Sequence, residues 1–148
     1  MAKQKQQNDH ENQLKAQVIE AVNFIHNNNL YMFGKKKDMV SASLTHYVND
    51  LNRNMRVELF AQELKKSEGL PIDAARARAE KEFLTNDDIW KQDRDIWMKS
   101  QKQVEELQAE IEVCKEQNDY QTQLLRINMI DYEYQLAMMK RPLQIKVG

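Results

Sequence analysis

Three histidines, one cysteine and a run of three lysines are the residues with the most chemistry to offer. His10, His26 and His46 are scattered, Cys114 stands alone, and neither an HxxxH spacing nor a cysteine cluster is present, so no transition-metal ligand set is formed. His46 and Asp50 share a helix face, a pairing commoner on a surface than in a catalytic dyad, and no serine or cysteine nucleophile is suitably placed beside them. Glu105-Glu106 and Asp87-Asp88 are neighbours in sequence and therefore diverge on a helix, the wrong arrangement for cooperating carboxylates. A glycine-rich phosphate loop is missing. The chain reads as a non-enzyme, with no catalytic residue, no cofactor and no metal.

Lys35, Lys36 and Lys37 raise a different possibility. They precede VSASLTHYVNDLNRN, a stretch in which Ser41, Ser43, Thr45, His46, Asn49 and Arg53 could face a nucleic-acid groove. The stretch faintly resembles the recognition helix of a helix-turn-helix protein, which implies contact through Lys35, Lys36, Lys37, Ser43, His46 and Arg53. The competing reading is a solvated helix face beside a basic turn. Charge argues for the latter, since the chain carries a net −1, made of +2 over residues 1–40, 0 over 41–84 and −3 from 85 onward. No portion is a polyelectrolyte suited to strong nonspecific binding.

The elements that would position these side chains are helices. With 41% hydrophobic and 30% charged residues the chain is neither disordered by composition nor membrane-spanning. Three glycines and two prolines among abundant Glu, Lys, Gln, Leu, Met and Ala point to an all-α fold. A single cysteine rules out an intramolecular disulfide. The polar start MAKQKQQNDHENQ lacks the apolar core of a signal peptide, and no apolar run nears the roughly 20 residues of a membrane helix. The expectation is a reducing, aqueous compartment, the cytoplasm, with no membrane partner.

Residues 1–12 read as a flexible polar arm or the frayed start of a helix. A helical cluster is expected over 13–84. Leu14, Val18, Ala21, Val22 and Ile25 form the stripe of a first helix, capped by Asn27-Asn28-Asn29, and LYMFGKKKD around Gly34 suits a connecting turn. Val40, Leu44, Tyr47, Val48, Leu51, Met55, Leu59 and Leu64 form the stripe of a second helix, ending at Gly69. Pro71 suits the first turn of a third, whose narrow stripe of Ile72, Ala75, Ala79 and Phe83 implies close approach to a neighbour. Thr85 as N-cap, with Asp88 three residues on, opens a long association helix over 85–141, and Pro142 is the expected stop. That helix would span about 55 residues, or roughly 80 Å.

Stepping by seven along it gives Trp90, Trp97, Val104, Ile111, Asn118, Leu125, Tyr132 and Met139; seven of the eight are apolar or aromatic where chance would give about three. Leu107 and Cys114 occupy the alternate d positions, Cys114 as a small core hydrophobe. Beyond Leu125 the d positions drift to Met129 and Leu136. Asn118 at an a position either faces another amide and fixes register or lies on a solvated turn. A second stripe, Tyr120, Leu124, Ile127, Tyr134 and Met138, makes the last third of the helix apolar around more than half its circumference, more than one partner helix covers. The tail 142–148, with Leu143, Ile145 and Val147 alternating, reads as extended, either disordered or added to a partner's sheet edge or groove.

Together these parts make an N-terminal three-helix cluster, one very long coiled-coil-like helix and an extended C-terminal tail. This layout, taken across the chain, resembles small phage-encoded assembly proteins such as small terminase subunits and virion accessory proteins. The resemblance implies a structural protein that self-associates or joins a larger protein assembly in the host cytoplasm or virion. Its interface would comprise Trp90, Trp97, Val104, Leu107, Ile111, Asn118, Leu125, Tyr132, Leu136, Met139, Leu143, Ile145 and Val147. A nucleic-acid-binding adaptor is the alternative, and a small regulator or inhibitor docking on a host protein is a third.

Overall fold

A computed structural model describes the backbone of residues 2–147 and the side chains of residues 2–140. It contains three helices, α1 (Ala2–Glu68), α2 (Ile72–Thr85) and α3 (Asp87–Val147), with no strand among the described residues. The all-α expectation holds. The expected three-helix cluster does not, because α1 runs for 67 residues without a break.

Two sequence features expected to interrupt α1 are absorbed by it, and its polar start belongs to it as well. The polar arm is helical from Ala2, and Asn27-Asn28-Asn29 and Gly34 lie within the helix. Gly34 has a helical backbone and open space where a Cβ would stand. An asparagine or glycine inside a helix costs only about 0.7–1 kcal/mol against alanine. The inward stripe Val18, Ala21, Ile25, Asn28, Met32, Lys35, Met39, Ala42, His46 continues straight through at intervals of three and four residues. Breaking the helix would cost that whole pairing surface, which outweighs the weak local preferences.

The chain divides into two compact units, Met1–Gly34 with Ile111–Gly148, and Lys35–Glu110. In the first, α1 and α3 pair antiparallel: Glu11 meets Tyr132, while Asn28 meets Cys114 and Asn118. Ala21, Ile111 and Cys114 are its buried apolar residues among those described.

The second unit adds α2 to the pair. Gly69 ends α1 at φ 67°, a left-handed conformation that side chains disfavour, and its N–H donates to the Lys65 carbonyl at 3.1 Å. Pro71 occupies the cap position of α2. Asn86 alone links α2 to α3: its N–H donates to the Glu82 carbonyl at 2.8 Å, and its Oδ1 accepts from the Asp88 N–H at 3.2 Å. The α3 cap is therefore Asn86 in place of the expected Thr85, which closes α2 and donates its hydroxyl to the Lys81 carbonyl.

The α2 stripe behaves as its residues predict. Ala75, Ala79 and Phe83 are fully buried against Val57, Ala61, Leu64 and Trp90. Phe83 sits edge-on to Trp90 at 5.7 Å and to Trp97 at 5.9 Å, and Phe60 is edge-on to Trp90 at 5.6 Å, the geometry that ring quadrupoles favour. The backbone of α3 continues through Pro142 to Val147, so the expected stop and extended tail are not seen. A proline removes one donor and crowds one turn, a local penalty that a helix near its end can carry.

Candidate interaction surfaces

The heptad positions of α3 face α1 of the same chain. Trp90, Leu107, Ile111 and Cys114 are buried, and Trp97, Val104, Asn118, Leu125, Tyr132 and Met139 are half-buried. Trp97 Nε1 donates to Asp50 Oδ1 at 2.9 Å, and the Tyr132 hydroxyl donates to Glu11 Oε1 at 3.0 Å. Desolvation, followed by the Glu11 carboxylate, pushes the Tyr132 phenol above its ordinary value. The amide reading of Asn118 is realised within the chain: Asn28 Nδ2 donates to Asn118 Oδ1, and Asn118 Nδ2 donates to Asn29 Oδ1, both at 2.9 Å. The expected drift after Leu125 does not occur, since Asn128 and Gln135 take the half-buried d positions and Met129 is exposed, although Leu136 remains half-buried. Pairing with a second heptad stripe holds the spacing at 3.5, even where that puts amides in the seam. The side chains of Leu143, Ile145 and Val147 lie outside the described residues.

The second stripe of α3 is outside. Tyr120, Leu124, Ile127, Tyr134 and Met138 are 38–63% exposed in the first unit, as the excess apolar circumference implied. A larger discrepancy concerns α1 in the second unit. Val40, Leu44, Tyr47, Val48, Leu51, Met55 and Leu59, expected as a core stripe, are 49–62% exposed. The face turned inward carries Met39, Ala42, His46, Asp50, Arg53 and Val57 instead. The more apolar face of this helix segment points away from its own unit.

Polar groups on the inward face meet specific partners, although Arg53 Nε and, across from it, Trp90 Nε1 are buried without one among the described residues. Lys35 Nζ lies 2.9 Å from Glu110 Oε2. Arg53 has a side chain only 14% exposed; it lies over the Phe83 and Trp97 rings at 4.5 and 4.8 Å and pairs with Glu80 at 2.5 Å. His46 Nδ1 is 2.9 Å from Ser100 Oγ, a partner 54 residues away that no local spacing could disclose. The Ser100 hydroxyl also lies 2.9 Å from the Trp97 carbonyl; with its proton given there, its oxygen accepts from the histidine. Asp50 bonds Trp97 and so forms no dyad with His46.

The chain matches no family model, no curated protein and no solved structure.

The proposed nucleic-acid residues are not gathered on one face. Lys35, His46 and Arg53 lie in the seam, Ser43 is half-buried, and Lys36 and Lys37 point outward. The turn a helix-turn-helix needs before Val40 is continuous helix. Among the described residues no cluster of three or more His, Cys, Asp or Glu could hold a metal ion, and no helix is long and apolar enough to cross a membrane. Glu58, on the flank of the outward α1 ridge, is gripped by Arg76 of α2 through both carboxylate oxygens at 3.0 Å and also accepts from Gln62. The Arg76 hydrogen bonds, then that from Gln62, hold the Glu58 carboxyl below its ordinary value.

Proposed function

We propose that this chain is a non-enzymatic helical assembly protein, which oligomerises or docks into a larger assembly through apolar helix faces that its own fold leaves outside. One observation carries the reading: along Val40–Leu59 the apolar face is turned out and the polar face in. Leaving one such side chain in water forgoes roughly 1.5–3 kcal/mol of burial. A ridge of seven, with the Tyr120–Met138 stripe of α3 as a second, is the mark of surfaces covered in the working state. Long paired helices with apolar stripes turned outward suit a subunit of a larger assembly, such as a phage virion or packaging machine, as the setting. The nucleic-acid reading is not carried forward, because Lys35, His46 and Arg53 are engaged in the seam.

Solution mass by light scattering over a wide concentration range, with absorbance recorded at two wavelengths, tests the proposal. The expected result is a multiple of 17.6 kDa free of nucleic acid. The changes Ile127→Asp and Tyr134→Asp together should lower that mass, or release a docked partner, while helicity stays unchanged. A chain that stays monomeric at the highest concentration and binds no environment-sensitive apolar dye would sink the reading.

A further inference from the structure

The outward ridge of α1 has an internal symmetry. Val40 lies as far before the Tyr47–Val48 bond as Met55 lies after it, and the same holds for Leu44 with Leu51 and for Tyr47 with Val48. Laid antiparallel on a copy of itself about that point, the helix matches apolar with apolar from Val40 to Met55 and sets Leu59 opposite Lys36. We infer that Val40–Leu59 is a homodimer interface, two copies of α1 packing antiparallel about a two-fold axis beside Tyr47 and Val48. The inference rests on the assembly reading and names the partner of this surface as a second copy of the chain.

Three arguments select that occupant. An isologous contact requires that if residue i meets j, then j meets i, which the ridge satisfies and which a foreign partner would not demand. The area is of the right order: seven side chains at 49–62% exposure offer at most roughly 700 Å² to a partner, taking for each when free the lower part of the aromatic range of about 150–250 Å². That is close to the ~800 Å² per partner of a stable interface and above the 300–600 Å² typical of the largest patch on a monomer. Charge then chooses the antiparallel sense. A parallel pair would set Lys36 and Lys37 against their own copies, whereas the antiparallel pair sets them beside Leu59 and Glu58. Leu59 can be covered by the aliphatic stem of the lysine opposite it, and Glu58 is held ionised by Arg76.

Single cysteines placed in full-length protein carrying Cys114→Ser read the register directly. Tyr47→Cys and Val48→Cys sit beside the axis and should form an interchain disulfide at least tenfold faster than Val40→Cys or Met55→Cys, whose copies are about 20 Å apart along the helices. The double change Val40→Cys, Met55→Cys should restore fast cross-linking. Equal rates for Val40→Cys and Tyr47→Cys would overturn the inference. So would a Leu44→Asp, Leu51→Asp variant that is helical and keeps the wild-type mass; the protein would then assemble by other surfaces and the assembly reading would stand. A wild-type monomer that still binds an apolar dye would replace the second copy with a foreign partner. If the aspartate variant does not fold, the cysteine rates alone decide.

Discussion

Within Lys35–Glu110, the rings of Phe60, Phe83, Trp90 and Trp97 interlock over the fully buried Ala61, Ala75 and Ala79. In the unit made of Met1–Gly34 and Ile111–Gly148, the seam between the same two helices holds an asparagine cluster, a tyrosine bonded to a glutamate, and few buried apolar residues. The aromatic unit has a third helix to close its core. The amide-rich unit has two helices, and its excess apolar residues, among them Tyr120, Ile127 and Tyr134, lie outside. Two helices share one seam and cannot enclose a core, so α2 decides which unit has an aromatic core, while each unit keeps an outward apolar stripe, Val40–Leu59 in one and Tyr120–Met138 in the other.

The largest effect should come from removing the keystone of the aromatic unit. Phe83→Ala should cost about 3–5 kcal/mol in urea unfolding, because the cavity it leaves is bounded by rigid rings. If the loss is below 1 kcal/mol, α2 is not the source of the contrast. In the amide-rich unit, Asn118→Ala should cost about 1 kcal/mol by removing one bond to half-buried Asn28, which keeps its bond to the Cys114 carbonyl, and one to exposed Asn29, while Asn28→Leu with Asn118→Leu should come near wild type. Hydrogen exchange would localise each loss to its unit.

Glycines sharpen the comparison at a smaller scale. Gly34→Ala should stabilise α1 by about 0.5–1 kcal/mol, its backbone being helical and its Cβ position open. Gly69→Ala should destabilise by about 1–2 kcal/mol, because φ 67° is strained for any side chain. The smallest effect is electrostatic. Since the folded Glu58 carboxyl lies below its unfolded value, its contribution is present above the unfolded value and is lost as pH falls through the folded one. Arg76→Ala should therefore lower stability slightly near neutrality and flatten the acid limb, the variant and wild type converging at low pH.

Much of the architecture was legible in residue spacing. The heptad from Trp90 to Met139 identifies the inward face of α3, the Ala75, Ala79, Phe83 stripe identifies the buried face of α2, and Gly69 marks the end of α1. Local preference predicts breaks at Asn27–Asn29 and at Gly34, and α1 runs through both because the residues around them keep their inward spacing. The site was less legible. Reading the most apolar stripe of Val40–Leu59 as core is sound for a helix that completes its own fold, and here the inward face is held by cross-helix pairs such as His46 with Ser100 and Arg53 with Glu80.

What the sequence determined by itself is the helical class, the end of α1 and which faces are apolar, because composition, backbone preference and periodicity act over a few residues. The tertiary structure decided which apolar face is buried and which is left for a partner. That choice depends on polar contacts between residues 27 to 121 positions apart, whose gain appears only when α1, α2 and α3 are in place.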